Sequence, residues 1–283
     1  MRKIAVAFIV LALCSLGVAQ IPGTHNLTKA SETAALLTKK SAIDAATPSP
    51  LADPGCSFLF TSGAGNTFFS YCLTTNGNIT QLRTPEGHFQ ISNPIEGYGI
   101  CDATTGIEYF DYAFEDSLNW GPTTVASQTA TSMKFVRTTS DGVWTLTQTI
   151  TQMASTSSVK LTMALKNNSA DSRPALLLRY TDVDVDDVLQ NNFDSTLNSA
   201  MAWNSFGSGA SPFGLVLQNV GTPPFPDYFG FVQTIPGIVH PCIPFANRSF
   251  GPALGIDGSL VMAYQGIFPK KATKTFNMSY KGL

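Results

Sequence analysis

From residue 56 onward, apolar and polar side chains take turns along the chain. Trp144, Leu146 and Ile150 alternate with Thr145, Thr147, Thr149 and Thr151. Val159, Leu161, Met163 and Leu165 alternate with Lys160, Thr162 and Lys166 in the same way. A period of two places each set on one face of an extended strand, and β-branched threonine favours that backbone. These stretches therefore predict strands with one greasy face and one hydroxylated face. Turn signals fall between them: Ser140-Asp141-Gly142 joins 133–138 to 143–151, and Asn76-Gly77 joins 67–74 to 79–83. The run Ala175-Leu176-Leu177-Leu178 is apolar throughout, which predicts a central strand covered on both faces over 174–182. The C-terminal region reads as a closing hairpin, 259–264 with 273–280, around Phe268-Pro269-Lys270-Lys271. No stretch after Cys56 carries a helical period.

Strands spaced this regularly predict an all-β fold, a large antiparallel β-sandwich (supersandwich-like) spanning 55–283 as a single domain. Residues 204–258, rich in Gly, Pro and Phe, read as long loops crossing between or over the sheets. Residues 20–54, rich in Ala, Thr, Ser and Pro, read as a flexible or partly helical N-terminal arm. Ahead of it, Arg2 and Lys3 precede an apolar run and the small residues of Gly17-Val18-Ala19. This is the pattern of a signal peptide, residues 1–19, cleaved before Gln20. The apolar run is shorter than the ~20 residues needed to cross a bilayer. Cys14 follows Leu13, where a lipidation signal needs a small residue. The expectation is a secreted or periplasmic protein with no membrane span.

Composition then narrows the partners. Charged residues make up 13% of the chain, and loss of Arg2 and Lys3 leaves 15 basic against 19 acidic groups, a net charge of about −4. A surface so mildly acidic excludes nucleic acid and anionic membranes, which require a dense basic face. Four cysteines, Cys56, Cys72, Cys101 and Cys242, follow the leader, and an oxidising compartment predicts two bridges from three possible pairings. If 57–61 and 67–71 form a hairpin, Cys56 and Cys72 face each other within disulfide reach, leaving Cys101 with Cys242. The rival pairing is Cys72 with Cys101 and Cys56 with Cys242.

The sharpest local motif is Asp182-Val183-Asp184-Val185-Asp186-Asp187. In a continuing strand, Asp182, Asp184 and Asp186 share one face about 6.5–7 Å apart, and hard oxygen ligands in that number suit Ca²⁺. Asn191, Asn192 and Asp194 follow closely enough to complete such a shell. The spacing is not that of an EF-hand, since Asp187 stands where that loop needs glycine. The plainer reading is a solvated acidic strand end that discourages edge pairing. A second cluster, Glu108, Asp111, Glu115 and Asp116, lies among Tyr109, Phe110, Tyr112 and Trp120. Glycosidases place two carboxylates about 5–9.5 Å apart across a sugar, and aromatic faces stack on sugar rings. Acids on loops above buried aromatics are also ordinary in sandwiches. Trp120 and Trp203, each beside an asparagine, are sugar platforms if exposed and caps on the core if buried.

The order of an alternating strand, the Asn167-Asn168-Ser169 turn, a buried strand and an acidic run, with the closing hairpin, is similar to the large sandwich domains of carbohydrate-active proteins. The likeness is architectural, covers about half the chain, and implies a carbohydrate as ligand or substrate. No catalytic motif accompanies it. His25, His88 and His240 stand outside any metal-ligand spacing. Gly-x-Ser-x-Gly, Cys-x-x-Cys, phosphate-loop and dinucleotide signatures are missing from the sequence. Two functions remain. One is a non-catalytic module that binds a ligand or another surface protein and needs no cofactor beyond a possible Ca²⁺. The other is a carbohydrate-active enzyme or carbohydrate-binding domain.

Overall fold

The computed structural model describes residues 56–92, 95–113, 116–204, 213–235 and 239–283. The expected leader, the arm and Glu115 lie outside them. The strand pairings among these residues are antiparallel, and helix is limited among them to three short 3-10 turns. Three sheets form. The largest has nine strands, in the order 253–256, 191–196, 199–203, 214–219, 273–282, 158–167, 144–153, 132–139 and 120–128. A seven-stranded sheet runs 248–249, 227–233, 259–268, 173–182, 96–102, 107–112 and 116–118. A four-stranded sheet, 58–62, 69–73, 79–83 and 89–91, completes the packing.

The alternation in sequence becomes the division between core and surface. In Trp144–Met153 the residues Trp144, Leu146, Gln148, Ile150 and Gln152 are buried, while the threonines between them stay partly accessible. They pack with Leu161, Met163 and Leu165 from one side and Tyr98, Ile100, Leu177 and Met262 of the seven-stranded sheet from the other. The run 175–178 does form a central strand, flanked by Ser259–Phe268 and Glu96–Asp102. Its Leu176 and Leu178 face a second cluster with Phe231, Val239 and Val261, so both faces are covered.

The closing hairpin is the clearest departure from expectation. Ser259–Phe268 and Thr273–Gly282 do not pair; the first lies in the seven-stranded sheet and the second in the nine-stranded one. Each already has two neighbours, Arg173–Asp182 with Asp227–Gln233 and Ser158–Asn167 with Gly214–Asn219. The turn between them, with Lys271 at φ 58°, carries the chain from one layer to the other. Residues 204–258, read as loops, instead supply Gly214–Asn219 and Asp227–Gln233, short strands that bury Leu215, Val216 and Leu217 and Phe231 and Val232. Both disulfides of the favoured pairing are present, Cys56–Cys72 and Cys101–Cys242, with Cα atoms 5.3 and 4.8 Å apart. The register of the first hairpin differs, though: Cys72 lies opposite Leu59, and Cys56 reaches it from just outside the strand.

One polar network sits where the three sheets meet. Arg179, fully buried, donates from Nε and Nη2 to the two Glu96 carboxylate oxygens at 2.5 and 2.8 Å. Its Nη1 reaches Gln148 Oε1 of the nine-stranded sheet at 2.6 Å, and Nη2 also reaches the Gly77 carbonyl at 3.1 Å. Glu96 accepts the Ile79 amide of the small sheet and the Tyr280 hydroxyl of the large one. Burial pulls the Arg179 guanidinium down, but Glu96 outweighs that and holds it above its ordinary pKa. Gly77 is required here: it sits at φ 81°, and a Cβ would come within 2.9 Å of the Phe135 ring.

Removing one partner of such a pair leaves a buried charge uncompensated. Arg179→Met is expected to cost about 3–5 kcal/mol in chemical denaturation, and the Glu96→Gln/Arg179→Met double variant less than the two single losses together. A single variant within about 1 kcal/mol of the wild type contradicts this.

Candidate functional site

The acidic–aromatic segment is built into the core. Asp111 is buried against Arg137, whose Nε also donates to the Gly121 carbonyl at 2.7 Å. Trp120 is nearly buried, edged by Tyr98 and Tyr109 and with the Arg137 guanidinium 5.4 Å from its ring centroid. Glu108 accepts the Cys242 amide at 2.8 Å and stands 3.0 Å from His240 Nδ1, which ties down the loop carrying the Cys101–Cys242 bridge. Asp116 lies on the short edge strand Asp116–Leu118. Trp203 ends the strand Ser199–Trp203, half-buried opposite Asn192. Among the described residues, Asp111 is engaged by Arg137, and Glu108 by the Cys242 amide and His240.

The acidic run also divides. The strand stops at Asp182, and a 3-10 turn over Val185–Asp187 follows. Asp182 and Asp184 are buried, and their carboxylates converge with that of Asp257. Asp186 and Asp187 both take left-handed backbone, φ 55° and 61°, a conformation aspartate adopts more readily than most residues. The turn sends Asp186 away from its neighbours. Asp187 is exposed, and Asp194 lies on the opposite strand face from Asn191 and accepts the Ser195 amide at 2.7 Å.

Asp186 meets His88. Its Oδ2 is 3.0 Å from His88 Nδ1, and its Oδ1 accepts the Phe89 amide at 2.9 Å. The imidazole stacks on Phe213 with ring centroids 3.6 Å apart. A carboxylate beside Nδ1 favours the ring tautomer that carries its proton on that nitrogen. The ring forms one wall of an open cleft of about 520 Å³, with Phe213 behind it and Asn66, Glu86, Ser157 and the chain end at Leu283 around it. Glu86 is itself anchored, its Oε2 accepting the Gly65 amide at 2.8 Å. The cleft thus combines one aromatic stack with hydroxyl, amide, carboxylate and imidazole groups.

None of this cleft was visible in the sequence. His88 and Asp186 stand 98 positions apart, and Phe213 belongs to a third segment. No spacing rule links them, because the contact is made by the packing of the small sheet on the ends of the other two.

No protein-family model matches the chain, and no characterised protein matches it by sequence. Solved structures do share its shape. A bacterial glucoamylase complexed with acarbose matches at 10% identity and TM-score 0.55, over 82% of this chain and 32% of that one. An α-galactosidase from Lactobacillus brevis matches at 8% identity and TM-score 0.43, over 80% and 39%. A galactose mutarotase related enzyme from Lactobacillus acidophilus matches at 8% and 0.36, over 80% and 97%. At these identities the likeness is one of fold, and of these three the glucoamylase match is close enough to carry it.

The His88–Asp186 contact predicts a single neutral tautomer, with the proton on Nδ1. Nitrogen-detected NMR of the histidine ring is expected to report that tautomer in the wild type and a mixture in Asp186→Ala. A mixture in both removes Asp186 from the role of orienting the ring.

Proposed function

We propose that this chain is an exported, non-catalytic carbohydrate-binding β-sandwich whose saccharide lies in the His88–Phe213 cleft. The cleft carries the reading. Its stacked aromatic wall offers an apolar face to sugar C–H groups, and Asn66, Ser157, Glu86 and the His88 ring offer polar atoms to hydroxyls. The sandwich shared with part of a glucoamylase complexed with acarbose supports the ligand class, as an analogy of fold. The two disulfides fit an oxidising compartment outside the cytoplasm, and among the described residues no helix is long and apolar enough to cross a membrane.

The non-catalytic part of the reading rests on how the carboxylates are used. Glycoside hydrolysis takes two carboxylates flanking the bond, one of them free to give a proton. In the cleft, Glu86 is bonded to a main-chain amide, and Asp186, which contacts the cleft's His88, is bonded to that ring and to a main-chain amide.

A glycan array and a reducing-sugar assay on residues 20–283 test both halves. Expected are binding to at least one oligosaccharide, a loss of about tenfold or more in affinity for Phe213→Ala, and no release of reducing sugar. Binding to no glycan overturns the ligand class. Sugar release that disappears in His88→Ala would instead make the dyad an acid–base pair.

A further inference from the structure

The outer face of the nine-stranded sheet differs in charge from the rest of the molecule. The chain holds 17 basic and 19 acidic residues, yet among the described residues the nine strands carry one acid, Asp194. Acids gather in the seven-stranded sheet instead, whose strands hold Glu96, Asp102, Glu108, Asp111, Asp182 and Asp227. Outward from the large sheet point Lys134, Lys160, Lys166 and Lys281, set among the threonines that alternate with the core positions. None of these four ammonium groups forms an ion pair with a described residue. Asp194 shares a row with Lys281 but stands three strands away, about 14 Å, beyond the reach of a screened surface charge.

Three of the lysines fall on one diagonal. Lys160 pairs with Ser279 and Ser158 with Lys281, which makes Lys160 and Lys281 diagonal neighbours about 7–8 Å apart. Lys160 lies opposite Thr151, and Lys134 lies opposite Thr149 on the far side of the same strand. The row therefore continues in the same direction, about 12 Å further on. Lys160 and Lys281 share a hollow of about 270 Å³, lined also by Thr156, Ser158, Gln218 and Ser279. Its polar groups are held in place: the Thr156 and Ser158 hydroxyls stand 2.7 Å apart, and Gln218 Nε2 donates to Ser279 Oγ at 3.2 Å. Two ammonium groups over a polar hollow, with no acidic side chain in its lining, make a seat for an anionic group.

We propose that this face binds a polyuronate, a polysaccharide bearing a carboxylate on each sugar, with one carboxylate in the Lys160–Lys281 hollow and the chain lying along the diagonal to Lys134. Nucleic acids and heavily sulfated glycans call for dense basic patches or runs of Lys and Arg. Lysines this widely spaced suit a polymer of sparser charge. Thr149, Thr151 and Ser132, between Lys160 and Lys134, offer partners to its hydroxyls. The hollow adjoins the His88–Phe213 cleft, since Ser157 lines the cleft while its neighbours Thr156 and Ser158 line the hollow. The choice of a saccharide over another sparse polyanion rests on the carbohydrate-binding reading; the lysine row itself does not.

Calorimetric titration of residues 20–283 with oligogalacturonate, its methyl ester and dextran sulfate tests the site. Expected is binding of the free acid that weakens as salt is raised, with the uncharged ester and dextran sulfate each bound about tenfold or more weakly. Lys160→Gln/Lys281→Gln, a pair of surface changes that leaves the melting temperature in place, is expected to lose about fivefold or more in affinity for the acid. Lys270→Gln/Lys271→Gln, in the turn between the layers, is expected to lose less than about twofold. No binding of the acid, or equal binding of acid and ester, overturns the proposal; neutral glycans still held through Phe213 would then leave the cleft reading standing. Equal losses in the two double variants overturn the lysine row as the seat. Dextran sulfate bound as tightly through the same lysines overturns the choice of a polyuronate.

Discussion

The Arg179 guanidinium is the joint of this molecule. It stands in the seven-stranded sheet, shares Glu96 with the small sheet through the Ile79 amide, and reaches the nine-stranded sheet through Gln148 and, by way of Glu96, Tyr280. A charge at this depth is tolerable only when it is paired and hydrogen-bonded, and here each Arg179 nitrogen has a partner. The geometry is thereby constrained. If one sheet slides, a donor or acceptor of the network is left bare in the core, at a cost of several kcal/mol. Apolar packing is non-directional, so it fixes the register of the sheets less sharply than a satisfied polar network does.

That constraint is what makes a cleft between the layers a fixed feature. His88 follows the third strand of the small sheet, Asp186 follows the central strand of the second, and Phe213 precedes a strand of the largest. The three side chains meet only if all three sheets hold their places. A ring 3.6 Å from its stacking partner and 3.0 Å from its carboxylate tolerates little movement. The left-handed backbone at Asp186 and Asp187 is part of the same arrangement, because an extended chain would continue the strand and carry Asp186 elsewhere.

The alternation of residues was enough to read the strands of 132–167, the buried strand at 174–182 and the disulfide partners. It was not enough to say which sheet a strand joins. Ser259–Phe268 and Thr273–Gly282 look like a hairpin because a tight turn separates two alternating runs, yet the same turn serves equally to cross between layers. Only competition among partners decides, and each strand has better neighbours elsewhere. The backbone after the central strand departed from expectation for a related reason. Asp182, Asp184 and Asp186 were placed on one face by assuming the strand continued, and a change of backbone hand at Asp186 separates the third from the first two. Phe213 carries no local sign that it stacks on His88, being brought in by contacts between distant segments.

Native-state hydrogen exchange tests the interlocking of the three sheets most directly. The account predicts that the Ile79 amide in the small sheet, the Arg179 amide in the second and the Gln148 amide in the third exchange through one common opening, with equal free energies close to that of global unfolding. Exchange at Ile79 through a separate opening several kcal/mol easier than the others would show the small sheet to be an independent flap, and would contradict the account.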